Sequence, residues 1–152
     1  IKQGKCDILS AATATPEREL SMNFSRDYMG LPLVIATQNK VPFIDNISQV
    51  SERTFAIVKG HAAAELLLQQ YPGLSIVYVD KPSDGLQAVK NNRVFAYIDT
   101  PATIAYVIRR DNLVNLKIAG KLKQRYKIAV AVNNEIPILL DIYEKAILSL
   151  SN

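Results

Sequence analysis

Cysteine, histidine and long apolar runs are scarce in this sequence, and each shortage excludes a class of protein. The single cysteine, Cys6, cannot form an internal disulfide, and together with the single histidine, His61, it falls short of the clustered ligands of a zinc site. No apolar run is long enough to cross a bilayer, and no signal peptide is recognisable. We therefore predict no metal, no cofactor and no disulfide. Because the chain begins with Ile1 rather than Met, we expect a fragment or a processed product whose membrane anchor lies elsewhere.

Charge does not indicate a nucleic-acid-binding protein either. The 152 residues are 49% hydrophobic and 21% charged, as in ordinary soluble globular domains, and the net charge is +4. Much of this excess comes from one basic cluster, which comprises Lys117, Lys121, Lys123, Arg125 and Lys127. Aromatic side chains do not interleave with the cluster as base-stacking platforms would. Its spacing fits a loop that leads into a strand with solvated outward positions, so we predict no nucleic-acid partner.

The middle of the chain alternates between strand and helix patterns. Predicted strand 54–58 precedes helix 62–70, strand 75–79 precedes helix 83–91, and strand 94–98 precedes helix 101–110. This alternation predicts an α/β fold with a parallel or mixed sheet and helices on both faces. A short strand at 116–119, a crossing near 124–126, a strand at 127–132 and a helix at 134–150 complete the chain. The last helix is predicted to bury a stripe of apolar residues spaced by four: Ile138, Ile142, Ala146 and Leu150.

Residues 10–18 carry the marks of a helix start and one cation that does not fit it. Thr15 suits the N-cap, Pro16 the first helical position and Glu17 the positive end of the dipole. Arg18 opposes that dipole. Either it is a solvated arginine or surface ion pair of little energetic consequence, or its guanidinium grips a ligand carboxylate bidentately, with the Thr13 and Ser10 hydroxyls on the same loop.

The sequence of this segment resembles that of the bacterial extracellular solute-binding protein family 3. The matching residues run from Asp7 to Ser10 and from Thr13 to Arg18, followed by the segment 23–28, and the resemblance extends over nearly the whole chain. The family contains the amino-acid-binding type II periplasmic binding proteins and the related sensor domains of membrane-bound kinases and cyclases. The resemblance implies that Arg18 binds a ligand carboxylate, with Thr13 supplying a hydroxyl.

A second candidate segment lies between a predicted strand and a predicted helix. Gly60 permits close backbone approach, and free N–H groups at a helix start can bind an anion, although the residues alone favour a plain strand-to-helix turn with glycine for conformation. The family usually places two small hydroxyl residues after this glycine, whereas this chain has His61 and Ala62. The backbone contribution survives and the hydroxyl contribution is lost. His61 either caps the helix or lines the cleft and makes binding depend on pH.

The third candidate is Asp99, at the carboxyl end of an apolar strand. A charge there is costly unless it has a partner. The aspartate is either a helix-capping residue before Thr100 or, as the resemblance implies, the group that receives the ligand's α-ammonium.

The resemblance also implies an organisation and a function. The expected fold is periplasmic binding protein type II-like, with two doubly wound α/β lobes joined by two crossing strands, and a hinge near 29–30 and 124–126. Lobe 1 is expected at 1–27 and 126–152, and lobe 2 at 28–125. Family members carry a further segment before the strand that contains Asp7, so lobe 1 is predicted to be incomplete.

The expected function is that of a non-catalytic periplasmic sensor domain of a membrane-bound histidine kinase or cyclase, which binds a small amino-acid-like solute. The alternatives are the amino-acid-binding subunit of an ABC transporter and an enzyme like cyclohexadienyl dehydratase, for which only His61, Tyr97 and Asp99 could supply an acid or base.

An incomplete lobe 1 would leave apolar surface without a partner. Ile8, Leu9, Ile128, Val130 and Ile142 are the residues expected to face the missing layer. Because monomers rarely expose a patch of that kind, we expect this chain either to form a homodimer through lobe 1 or to bind its ligand weakly.

Overall fold

The computed structural model describes residues 6–150, which form two compact units. Unit 1 comprises Ile1–Leu31 and Tyr126–Asn152, and unit 2 comprises Pro32–Arg125. Two strands, β3 (Met29–Gln38) and β7 (Leu116–Asn133), each begin in one unit and end in the other. The assignment of these units to lobes 1 and 2 of a binding protein stays a prediction.

Unit 1 is built on the second half of β7. Strands β1 (Ile8–Ala12) and β2 (Met22–Phe24) both pair with it in antiparallel orientation. Between them lies the short helix α1 (Pro16–Glu19), whose N-cap is Thr15. The Thr15 hydroxyl accepts the backbone N–H of Arg18 at 3.4 Å. The predicted helix start is therefore confirmed.

The last helix, α5 (Pro137–Leu150), packs on unit 1 through a different face from the one predicted. Ile138 and Ile142 are 60% and 55% exposed, and Leu150 is more exposed still. The buried face instead consists of Leu139, Leu140, Tyr143 and Ile147, which pack against Val130 and Val132 of β7. Apolar residues surround this helix, so a spacing of four fits two faces equally well. The periodicity could not choose between them.

Of the residues expected to face a missing layer of lobe 1, some are buried and others are exposed. Ile128 and Val130 are buried, so the prediction is wrong for them. Leu9 and Ile142 are exposed, and Ile8 is half-buried against the Val130 cluster. Part of the exposed apolar surface of unit 1 therefore lies on the outer side of α5, at Ile138 and Ile142.

Unit 2 contains the three strand–helix pairs, each within two residues of its predicted bounds. They are β4 (Thr54–Val58) with α2 (Ala62–Gln70), β5 (Ser75–Val79) with α3 (Pro82–Lys90), and β6 (Ala96–Asp99) with α4 (Pro101–Arg110). A 3-10 turn, Ile47–Val50, precedes them. Strand β4 is parallel to both β5 and β6, whereas β3 is antiparallel to β6. The sheet of unit 2 is therefore mixed, and its strands follow the order β3-β6-β4-β5.

Strand β7 is longer than predicted. We expected a short strand, a crossing and a second strand, but the chain runs as one strand of 18 residues. Lys121, Lys123, Arg125 and Lys127 are exposed at alternate positions, with buried Leu122 between the first two. The basic cluster therefore occupies outward strand positions in water rather than a loop.

Candidate functional site

The Thr13–Arg18 loop of unit 1 is closed by its own arginine. The Arg18 guanidinium donates from Nη1 to the Thr13 carbonyl oxygen at 3.1 Å. Thr13 is buried, and its hydroxyl has no hydrogen-bond partner among residues 6–150. A buried hydroxyl of this kind ordinarily has a partner, so the loop offers an unused donor and acceptor beside a guanidinium.

Ser10 lies in β1, two residues before Ala12, and its side chain is exposed. Its backbone carbonyl accepts a hydrogen bond from the Tyr28 hydroxyl at 2.7 Å. The structure thus gives Ser10 a backbone role that ties β1 to the segment entering β3.

The turn after β4 requires its glycine for conformation. Gly60 has φ +76°, in the left-handed region, and a Cβ added there would meet no heavy atom within 4 Å. His61 is the N-cap residue of α2 by backbone position, but its side chain makes no capping hydrogen bond. Ala62 is fully buried at the first helical position. His61 therefore occupies the N-cap position, as one of the two interpretations had it, without a capping bond from its side chain.

Asp99 is a buried carboxylate with two intramolecular donors. It is 1% exposed, and its Oδ2 accepts the Tyr97 hydroxyl at 2.5 Å while Oδ1 accepts the Thr100 backbone N–H at 2.7 Å. The N-cap of α4 is Thr100 itself, whose hydroxyl accepts the Thr103 N–H at 3.3 Å. Asp99 thus bonds the residue before the helix and does not cap α4.

Sequence reasoning missed the group that supports this aspartate. Tyr97 and Asp99 are two residues apart on β6, so they lie on one face of the strand. The Tyr97 ring fits only because residue 85 is glycine, since a Cβ at Gly85 would lie 2.4 Å from Tyr97 Cδ2. The period of two along β6 was a usable signal for the Tyr97–Asp99 contact. The approach of Gly85 from α3 was not readable from the sequence.

The candidate residues fall into two sets. Gly60, His61 and Ala62 follow β4, and Asp99 ends β6; these two strands are parallel neighbours, so both segments lie at the carboxyl edge of the unit 2 sheet. Carboxyl edges are where α/β sheets bind ligands. Ser10, Thr13 and Arg18 belong to unit 1. The ligand-binding roles of all seven remain predictions.

Two further properties of the described residues bear on function. Among residues 6–150, no group of three or more histidine, cysteine, aspartate or glutamate side chains is arranged to hold a metal. In the same range, no helix has both the length and the apolarity needed to cross a membrane.

Comparison with solved structures defines the class of fold. A histidine kinase sensor domain with similarity to periplasmic binding proteins matches 99% of this chain and 66% of its own, with a TM-score of 0.86 at 19% identity. Holo ArgBP from T. maritima matches 99% of this chain and 66% of its own, with a TM-score of 0.80 at 23% identity. The chain therefore has the predicted periplasmic binding protein-like fold.

The sequence relationship is more specific. The chain is homologous to the periplasmic VFT2 domain of BvgS from Bordetella pertussis, with 30% identity and a TM-score of 0.83 over 99% of this chain and 65% of that domain structure. The virulence sensor protein BvgS matches all of this chain at 30% identity over 153 residues, and the chain spans 12% of its length. No family model matches the chain.

These relationships confirm the predicted recognition, a periplasmic binding protein-like sensor domain. The BvgS domain to which the chain is homologous is a sensor domain of a signalling protein rather than a catalytic domain. The prediction of a non-enzymatic sensor domain is confirmed on that ground.

Proposed function

We propose that this chain binds a small amino acid or related carboxylate and reports its presence to a membrane-bound signalling protein, a histidine kinase or a cyclase. The homology to the sensor domain of BvgS supports the signalling role. The fold shared with an arginine-binding protein supports an amino-acid-like ligand. An extracytoplasmic location and an anchor outside these residues are part of the same proposal, since the homologous domain is periplasmic.

The observation that carries the proposal is the Thr13–Arg18 loop. A guanidinium beside a buried hydroxyl without a partner suits a carboxylate, which can accept from both groups. Helix α1 has only four residues and Arg18 lies in its last turn, so the helix dipole gives no argument for an anion at this residue.

Asp99 is the proposed partner of the ligand's ammonium group. Each carboxylate oxygen can accept more than one hydrogen bond, so the bonds from Tyr97 and Thr100 leave lone pairs for a third donor.

A ligand panel tests the proposal directly. Thermal unfolding is followed with each natural amino acid, with the matching acids that lack the amino group, and with the matching amines that lack the carboxylate. At least one amino acid should raise the melting temperature, while its two truncated analogues should raise it far less. Equal stabilisation by the amine would contradict the role of Arg18, and no stabilisation by any amino acid would contradict the ligand class.

Thr13 provides a sharper variant. Thr13→Val keeps the shape of the side chain and removes the hydroxyl, so it should weaken binding of the stabilising amino acid by about tenfold, the equivalent of one hydrogen bond to a charged group. Thr13→Ser, the matched control, keeps the hydroxyl and should bind like the parent. Weak binding by both variants would assign Thr13 a packing role.

We further propose that the chain forms a homodimer through unit 1. The support is the outer side of α5, where Ile138 and Ile142 are more than half exposed one turn apart. Exposed apolar surface of this kind on a helix is typical of an interaction site.

A further inference from the structure

Away from the candidate ligand residues, unit 2 carries a groove that none of the predictions above uses. Two cavities of about 440 and 280 Å³ share Val41, Glu52, Arg53 and Phe95 in their walls. We call their union the Arg53 groove. The larger cavity, which we call the first half of the groove, is also lined by Lys40 and Arg93. The smaller cavity, its second half, is also lined by Phe43 and Val50.

The groove lies at the opposite edge of the sheet from Gly60, His61 and Asp99. Arg53 and Phe95 immediately precede β4 and β6, two parallel strands, so they lie at the amino ends of these strands. Five residues of β4 at about 3.3 Å each separate the two edges by roughly 16 Å. An occupant of the groove would therefore be a second ligand of the same unit.

Arg53 contacts the core of unit 2 through the ring of Phe95. Its guanidinium carbon lies 5.6 Å from the centroid of the Phe95 ring, and Phe95 meets the fully buried Phe55 edge-on at 6.0 Å. Stacking on an aromatic face fixes the plane of a guanidinium while its edge N–H groups stay available. The head group of Arg53 thus lies over the Phe95 ring in the wall of the groove.

Hydrogen bonds also fix the neighbouring wall, where α3 ends. The Gln38 amide donates to the carbonyl oxygens of Val89 and Lys90 at 3.1 and 3.0 Å. These bonds occupy carbonyls at the negative end of the helix dipole. Asn92 adopts a positive φ of 56° and leads to Arg93, whose N–H donates to the Ala88 carbonyl at 2.9 Å.

The charges of the groove are unbalanced. Glu52 is its one acidic side chain among the wall residues and lies 3.4 Å from Arg53, whereas Lys40 and Arg93 form no ion pair within residues 6–150. Beyond this cationic half, Phe43 is 66% exposed beside Val41 and Val50. An occupant would need negative charge at one end and apolar groups at the other.

We propose that the Arg53 groove binds an extended segment of a partner protein that has several carboxylates at one end and a large apolar side chain at the other. Its carboxylates contact Arg53, Arg93 and Lys40, and an apolar side chain packs on Phe43. The open, two-chambered shape favours a peptide segment over a compact solute, which an enclosed pocket would hold better.

Fluorescence anisotropy of the full chain with a labelled peptide, in which several glutamates are followed by phenylalanine, tests this proposal. The peptide should bind saturably, and the matching glutamine–phenylalanine peptide should bind at least tenfold more weakly. Arg53→Glu with Arg93→Glu should weaken binding of the acidic peptide at least tenfold. Arg109→Glu, at an exposed position of α4, should change it less than twofold.

Three results would overturn the proposal. They are the absence of saturable binding, equal weakening by Arg109→Glu, and complete displacement by millimolar inorganic phosphate, which would indicate a small-anion site. If the double variant folds poorly, two milder substitutions at exposed positions, Phe43→Ser and Arg93→Gln, take its place in the test. Each should weaken binding of the acidic peptide severalfold. Amino-acid binding in the thermal assay should stay unchanged in all groove variants, so the outcome is independent of the proposed ligand site.

Discussion

The buried Tyr97 hydroxyl donates a hydrogen bond to the buried carboxylate of Asp99. Removing this hydroxyl tests the contact. Tyr97→Phe should lower the free energy of unfolding by about 2 kcal/mol, because it removes a hydrogen bond to a buried charged group. Chemical denaturation measures the change. Tyr78→Phe, at an exposed position of β5, is the matched control and should be nearly neutral. A neutral Tyr97→Phe would mean that Asp99 does not depend on this donor.

Gly85 sets the position of the Tyr97 ring. Gly85→Ala should destabilise unit 2 by about 2 kcal/mol or more, since the new methyl group would overlap a fully buried ring that has no room to move. Gly73→Ala adds the same methyl group where nothing lies within 4 Å and should change stability little. Equal stabilities of the two variants, measured by urea denaturation, would contradict the close approach of Gly85 to Tyr97.

At the scale of elements, one ion pair joins α5 to the turn before β3. The Arg26 side chain donates from Nε to Glu144 Oε2 at 2.7 Å, and the Arg26 backbone N–H donates to Oε1. These donors hold the pKa of Glu144 below its usual value near 4.5, the side-chain bond contributing most. The stability that this pair contributes is therefore complete above about pH 4.5 and is lost as the pH falls through the lower pKa of the folded state.

Glu144→Gln tests this contact. Both partners are partly solvated, so the variant should be less stable than the parent at pH 7 by no more than about 1 kcal/mol. The difference should shrink as the pH falls below about 4.5, because the parent then also loses its charge. Thermal unfolding of the parent and the variant at pH 7 and pH 3 measures this stability difference. A difference that is larger at pH 3 than at pH 7 would contradict the ion pair between Arg26 and Glu144.

The same elements explain which parts of the fold could be predicted from the sequence. The starts of α1 and α4 were predictable because Thr15 and Thr100 act on neighbouring residues through local capping bonds. The continuity of β7 was not predictable, because lysines at outward strand positions resemble a solvated loop. The buried face of α5 was not predictable either, because packing against Val130 and Val132 decides it. Local rules fixed where elements begin, and tertiary packing fixed which sides they bury.

The candidate site divides similarly. The left-handed turn at Gly60 and the burial of Asp99 follow from a strand-to-helix turn and from an apolar strand, both visible in the sequence. The partners of Asp99 and Thr13 depend on where their side chains point. The sequence could nominate these residues, but it could not say that the hydroxyl of Thr13 is buried without a partner.

At the scale of the whole molecule, the proposed homodimer makes the outer side of α5 an interface. Ile142→Glu would place a charge in that apolar interface, so it should shift the chain to a monomer in size-exclusion chromatography with light scattering. Leu20→Glu, at another exposed apolar position of unit 1, should leave the association unchanged. A parent chain that stays monomeric at high concentration would contradict the proposal.

The role of Arg18 is the central claim about the molecule as a sensor. Isothermal titration calorimetry with the most stabilising amino acid of the panel measures it in the parent, in Arg18→Ala and in Arg18→Lys. Arg18→Ala should weaken binding at least thirtyfold, because a buried carboxylate of the ligand would lose its charged partner. Its melting temperature without ligand should stay within a few degrees of the parent. Arg18→Lys should also bind weakly, since an ammonium cannot reproduce the fork of a guanidinium. Undiminished affinity in Arg18→Ala would contradict the account.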